Sequence, residues 1–176
     1  MLPKVFSAEE VRRLLRATEN KKHNLMLKIC YGMGLRASEV TALKVSDIDR
    51  MTVLVEQAKG KRDRIVNLSA SILEELRNYY LEYKPKNYLF EGQYGGEYSY
   101  SSLKNVFDKA LKSAKIRKKR TLHSLRHSYA THLMDAGTDV HFIQELLEHQ
   151  SITTTQKYLY VSRQSASTIK SPLDLL

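Results

Sequence analysis

Five of the six histidines in this sequence fall between His123 and His149, and the same segment carries Arg126. His123 and Arg126 stand three apart, a spacing that puts two side chains on one face of a helix. An imidazole can move a proton near neutral pH, and a guanidinium can hold an anion through paired N–H donors. The pair therefore suits acid–base chemistry on an oxyanion such as a phosphate. Taken alone, a histidine and an arginine at this spacing more often decorate a surface. His123 and His127 stand four apart, which also permits a zinc site. The residues between them, Ser124-Leu125-Arg126, include no glutamate to act as base, and the arginine would repel a cation. No metal and no cofactor are expected.

The hydrophobic pattern shows which elements would hold these groups. Ser7-Ala8-Glu9-Glu10 is a capping box opening an amphipathic helix with Val11, Leu14 and Leu15 on one face. An apolar helix follows from Leu25 to about Met33, stopped by Gly32 and Gly34; Arg36 comes just after that turn, then a short helix with Glu39, Val40 and Leu43. Thr52 to Gln57 alternates and is rich in β-branched residues, and Arg64 to Leu68 is its partner across a basic, glycine-containing turn, so a hairpin is predicted. Ser71 to Glu74 repeats the capping-box pattern and starts a helix toward Tyr83, ended by Pro85. A loop rich in Gly, Tyr and Ser, from Glu91 to Ser102, leads to a helix with Leu103, Val106, Phe107, Ala110, Leu111 and Ala114 in one stripe. Helices are predicted for Thr121–Met134, for Val140–Leu147, and from Ser151 onward through Tyr158. The expected fold class is α+β and mostly α, a single helical array with a small antiparallel sheet near residues 50–68.

Composition narrows the setting. The 176 residues suit one domain, and 29 Lys and Arg against 19 Asp and Glu give a net charge of +10. Such a surplus favours a polyanionic partner, most often nucleic acid. No apolar run is long enough to span a bilayer, the N-terminus lacks a signal-peptide pattern, and no membrane partner is expected. The lone Cys30 excludes an intramolecular disulfide and sits in an apolar stretch, so a buried thiol and a cytoplasmic setting are the expectation.

Six positions in order carry a resemblance. They are Arg36 in Gly34-Leu35-Arg36-Ala37-Ser38-Glu39, Lys59 in Ala58-Lys59-Gly60-Lys61, His123 and Arg126 in His123-Ser124-Leu125-Arg126-His127, His149 after Leu146-Leu147-Glu148, and Tyr158 in Gln156-Lys157-Tyr158. This pattern resembles the catalytic domain of tyrosine recombinases, the phage-type integrases, and most closely their Xer-like branch. The likeness runs from Ser7 to the Ser171-Pro172-Leu173 tail, so residues 1–176 are expected to form the catalytic domain, with the family's N-terminal DNA-clamp domain absent. One departure is Glu148, where the family usually has glycine before the second histidine.

The resemblance implies a DNA strand-exchange enzyme. Arg36 and Arg126 would bind the phosphate, Lys59 would be the hairpin lysine, His123 and His149 the two histidines, and Tyr158 the nucleophile. Tyr160 and Lys61 are the neighbouring rivals to Tyr158 and Lys59; motif alignment selects Tyr158, and Lys59 leads over Lys61 on the same turn. The chemistry is coherent: an unperturbed phenol is about one part in a thousand ionised at neutral pH, so a base and cationic surroundings must favour the phenolate. Glu39 is expected to orient side chains or cap backbone. The run Lys115, Arg117, Lys118, Lys119 and Arg120 reads as a phosphate-tracking patch. His127, His132 and His141 are expected to be structural or to contact the DNA backbone, with no catalytic role. The implied partners are double-stranded DNA, further copies of the chain in a tetramer on two sites, and an accessory protein, with the apolar tail docking on a neighbouring copy. A type IB topoisomerase-like activity and a DNA-binding module without chemistry are the alternatives.

Overall fold

The computed structural model describes residues 4–49, 52–56 and 63–147. Lys59, Lys61, Glu148, His149, Tyr158, Tyr160 and the tail lie outside the described residues.

Seven helices and one hairpin make up the described chain: α1 Ala8–Arg16, α2 Lys21–Gly32, α3 Ala37–Ala42, β1 Thr52–Val55, β2 Arg64–Asn67, α4 Ala70–Tyr83, α5 Tyr100–Ser113, α6 Leu122–Asp135 and α7 Val140–Leu146. A single 3₁₀ turn, Val45–Asp47, precedes β1. The α+β, mostly α reading holds. The Ser7–Glu10 capping box forms as expected, with Ser7 Oγ accepting from the Glu10 N–H and the Glu10 carboxylate accepting from the Ser7 N–H at 2.9 Å.

Helix α2 is the hub. Leu25, Met26, Leu27, Ile29 and Cys30 are all buried, so the helix is apolar around most of its girth, as a helix packed on several sides must be. It touches α1, α3, α4, α5 and α6. It also starts a turn earlier than its apolar run, because the Asn20 side chain accepts from the His23 N–H and caps it. Burial, reinforced by the Glu39 charge, pushes the Cys30 thiol up to about 12, so it serves as a small core residue.

The hairpin is antiparallel, with Val53 opposite Val66 and Val55 opposite Arg64. Val53, Val55 and Val66 face the core while Ile65 faces solvent. Alternation therefore places Arg64 on the inner face, two residues from Val66. The helix after the hairpin begins at Ala70, not Ser71: Ser69 is the cap, its Oγ accepting from Ile72 N–H. A smaller core of Ala130, Met134, Ile143 and Leu147 joins α6 to α7.

Candidate active site

The first functional group is carried by a turn that only glycine permits. Gly34 has φ +63, and a Cβ there would collide with the ring of Tyr129 on α6. That close approach brings the Gly34-Leu35-Arg36 segment against α6. Arg36 is then the N-cap of α3, and its backbone N–H donates to Glu39 Oε2 at 2.7 Å. Its side chain donates Nη1–H to Glu39 Oε1, also at 2.7 Å. Glu39 thus caps backbone and orients a side chain together.

Arg64 was absent from the sequence-based site, yet it meets the same carboxylate. Its Nη1 lies 3.0 Å from Glu39 Oε1 and its Nη2 2.9 Å from Oε2, a paired arrangement. The available signal was the strand alternation that turns Arg64 inward. Burial by itself would raise the Glu39 carboxyl. The hydrogen bonds from Arg64 and the Arg36 N–H, with the positive charge beside it, outweigh that and hold it at about 2.

Arg126 is almost wholly buried, at 2% exposure, on α6. A buried guanidinium needs partners. Its Nη1 donates to the Gly34 carbonyl and its Nη2 to the Leu147 carbonyl. One side chain therefore ties α6 to the turn before Arg36 and to the residue that ends α7, two positions before His149.

His123 lies in the first turn of α6 with an open face toward solvent and its ring edge-on to His127, centroids 4.4 Å apart. Desolvation by its neighbours, then the charges of Arg126 and Arg36, lower its pKa, with Glu39 pulling the other way. These effects favour the neutral imidazole, the form able to accept a proton. Arg36, His123 and Arg126 are brought into one electrostatic neighbourhood.

Other expected residues divide. His132 is structural: its Nε2–H donates to the Phe6 carbonyl at 3.1 Å, and its Nδ1 shares a hydrogen bond with Tyr31 Oη at 2.8 Å. His141 is exposed at the start of α7. Within the basic run, Arg120 donates to the Val5 carbonyl at 2.8 Å and lies over the Phe6 ring, while Lys118 pairs with Glu10 at 2.8 Å. Those two cations fasten the N-terminal segment. Lys115, Arg117 and Lys119 are exposed. No cluster of metal-ligating side chains occurs among the described residues.

Residues 4–165 match the phage integrase family. The provisionally named integrase/recombinase y4qK of Sinorhizobium fredii is 42% identical over 178 residues, covering 99% of this chain and 58% of that protein. The crystal structure of the XerA recombinase superposes with a TM-score of 0.85 at 28% identity, over 97% of this chain and 65% of the other. The XerH site-specific recombinase bound to palindromic difH substrate, a post-cleavage complex, superposes with a TM-score of 0.82 at 27% identity, over 96% of this chain and 54% of the other. The chain thus spans under two thirds of the length of each of these three proteins.

Proposed function

Because the chain belongs to the phage integrase family, we propose that it is the catalytic domain of a site-specific DNA recombinase, acting through a covalent 3′-phosphotyrosine on Tyr158. The observation that carries this reading is the convergence of Arg36, His123 and a carbonyl-anchored Arg126 around the Gly34 turn. Double-stranded DNA is the substrate in this reading, in keeping with the XerH recombinase bound to its palindromic difH substrate.

In this mechanism Arg36 and Arg126 stabilise charge on the two non-bridging oxygens of the scissile phosphate, the task metal ions perform in many nucleases. His123, neutral near pH 7, takes the Tyr158 proton as the phenolate oxygen bonds to phosphorus. The bond from phosphorus to the 5′-oxygen breaks, and Lys59 supplies that oxygen with a proton. His149 donates a hydrogen bond to the phosphate. The phosphoester energy is kept in the tyrosyl bond, so the 5′-hydroxyl can reverse the step without a nucleotide cofactor. Exchange between two sites calls for several copies on DNA, a tetramer in this reading, with an accessory protein as controller of the reaction.

The test is covalent trapping. Sequencing DNA captured on the protein identifies its site, and a nicked suicide duplex of that site should give a denaturation-resistant adduct with the parent chain. Tyr158→Phe should keep DNA binding and lose the adduct, since it removes one oxygen and no positive charge. An adduct that persists in Tyr158→Phe moves the nucleophile elsewhere, with Tyr160 first in line. Relaxation of supercoiled DNA without two-site exchange would favour a topoisomerase-like role.

A further inference from the structure

We propose that His127 is a positioning residue for His123: its ring, one helical turn further along α6, backs the His123 ring and holds it in the orientation that takes a proton from the attacking tyrosine. This rests on the reading of His123 as the base given under Proposed function and adds a residue that it leaves without a task.

The two imidazoles stand four residues apart on α6, with ring centroids 4.4 Å apart and planes at 85°. That is an edge-to-face pair at the close end of the usual range. Helix direction explains why they meet. Helical side chains lean toward the N-terminus, so the ring at 127 reaches back over the residue one turn before it. His123 comes directly after Leu122, which opens the helix, and so has no earlier turn of α6 to pack against. It is exposed, whereas His127 is half-buried. An exposed side chain in a first turn would otherwise sample several rotamers, and only some of them aim a ring nitrogen at a given oxygen.

The contact also bears on charge. The charged groups that face His123 among the described residues are Arg126 on its own helix and, from α3 and its N-cap, Glu39 and Arg36. The start of a helix disfavours a cation as well. The His127 ring covers one side of His123 from water, which adds to the desolvation that favours the neutral imidazole. A proton on His127 would act in the same direction, since two imidazolium rings this close repel. In either state, removing the ring should move the His123 titration to higher pH. Packing of this kind needs a ring but no nitrogen, so phenylalanine should fill the place and glutamine should not.

The experiment compares the parent with His127→Ala, His127→Phe and His127→Gln. Two properties of His123 are read by NMR without turnover: its side-chain couplings, which report the rotamer, and the pH midpoint of its ring signals. The single-turnover rate of adduct formation on the nicked duplex is followed against pH, with DNA affinity alongside. His127→Ala should spread His123 over several rotamers and raise its midpoint. It should slow adduct formation at neutral pH by about 2–10-fold, the weight of one edge-to-face ring pair. The acid limb of the rate should move up with the midpoint. His127→Gln should follow His127→Ala, and His127→Phe should stay with the parent in rotamer and rate. The last two variants decide the matter if His127→Ala does not fold. An unchanged His123 rotamer and midpoint in His127→Ala and His127→Gln overturn the proposal and leave His127 an ordinary part of the packing. Parent-like behaviour in His127→Gln with a loss in His127→Phe overturns it too, because a polar contact would then be at work. So does a loss confined to DNA affinity, the mark of a phosphate contact. If His123 responds as expected but the rate does not, or the parent forms no adduct, the reading of His123 as the base fails while the ring pair stands.

Discussion

The surroundings of His123 shift it toward the neutral imidazole. An unperturbed histidine titrates near 6.5, so at pH 6 most of it would be protonated and unable to accept a proton. Desolvation comes first in lowering this value, and the charges of Arg126 and Arg36 follow. For His123 as the proposed base, a depressed pKa extends its competence to lower pH, so the acid limb of the cleavage rate should fall below about pH 6.5. Arg36→Ala removes one of the two nearby cations while Glu39 remains, and the His123 imidazole should titrate at a higher pH in that variant. NMR titration of the histidine ring signals checks this without any need for turnover. A midpoint that stays in place or moves down would detach His123 from Arg36. Spacing suggested His123 with Arg126 as a pair, and the family resemblance added Arg36. The carbonyl anchors of Arg126 were not legible, since backbone acceptors leave no mark on a sequence.

Secondary elements were legible where periodicity or a capping side chain spoke, and their edges shifted where two caps competed. Ser69 wins over Ser71 because its Oγ faces the Ile72 N–H, two positions ahead of what the second capping-box pattern implied. Arg64 escaped the site because a charged residue beside a basic turn reads as solvated; only its parity with Val66 turns it inward. Gly34 shows how one element places another. With φ +63 and the Tyr129 ring against it, Gly34→Ala meets both backbone strain and collision. It should destabilise the chain by about 2–4 kcal/mol. Gly137 is the control: its φ is +88, but a Cβ there meets nothing within 4 Å. Gly137→Ala should cost only the backbone strain, about 1–2 kcal/mol. Equilibrium unfolding in denaturant measures both. Equal losses would mean that the contact between the Arg36 turn and α6 contributes nothing to stability.

Over the whole molecule, a net charge of +10 says that polyanions are attracted but not which cations touch them. The structure divides the basic run between two duties. Lys118 and Arg120 are engaged with Glu10, the Val5 carbonyl and the Phe6 ring, and so hold the N-terminal segment against α6 and the turn that precedes it. Lys115, Arg117 and Lys119 face solvent and, with DNA as the proposed partner, are the members available to displace its counterions. Each phosphate contact on duplex DNA contributes about 0.9 to the slope of log affinity against log salt. Lys115→Ala, Arg117→Ala and Lys119→Ala should therefore each flatten that slope by up to about 0.9, with the largest effect from the residue closest to the backbone. Lys118→Ala should leave the slope nearly as it was, because its charge is already matched by Glu10. Binding measured between about 50 and 200 mM salt, the range over which such slopes are usually read, decides the matter. A steep loss of slope in Lys118→Ala, with none in the other three, would mean that the Glu10 pair opens on DNA and that the whole run tracks phosphate as one patch.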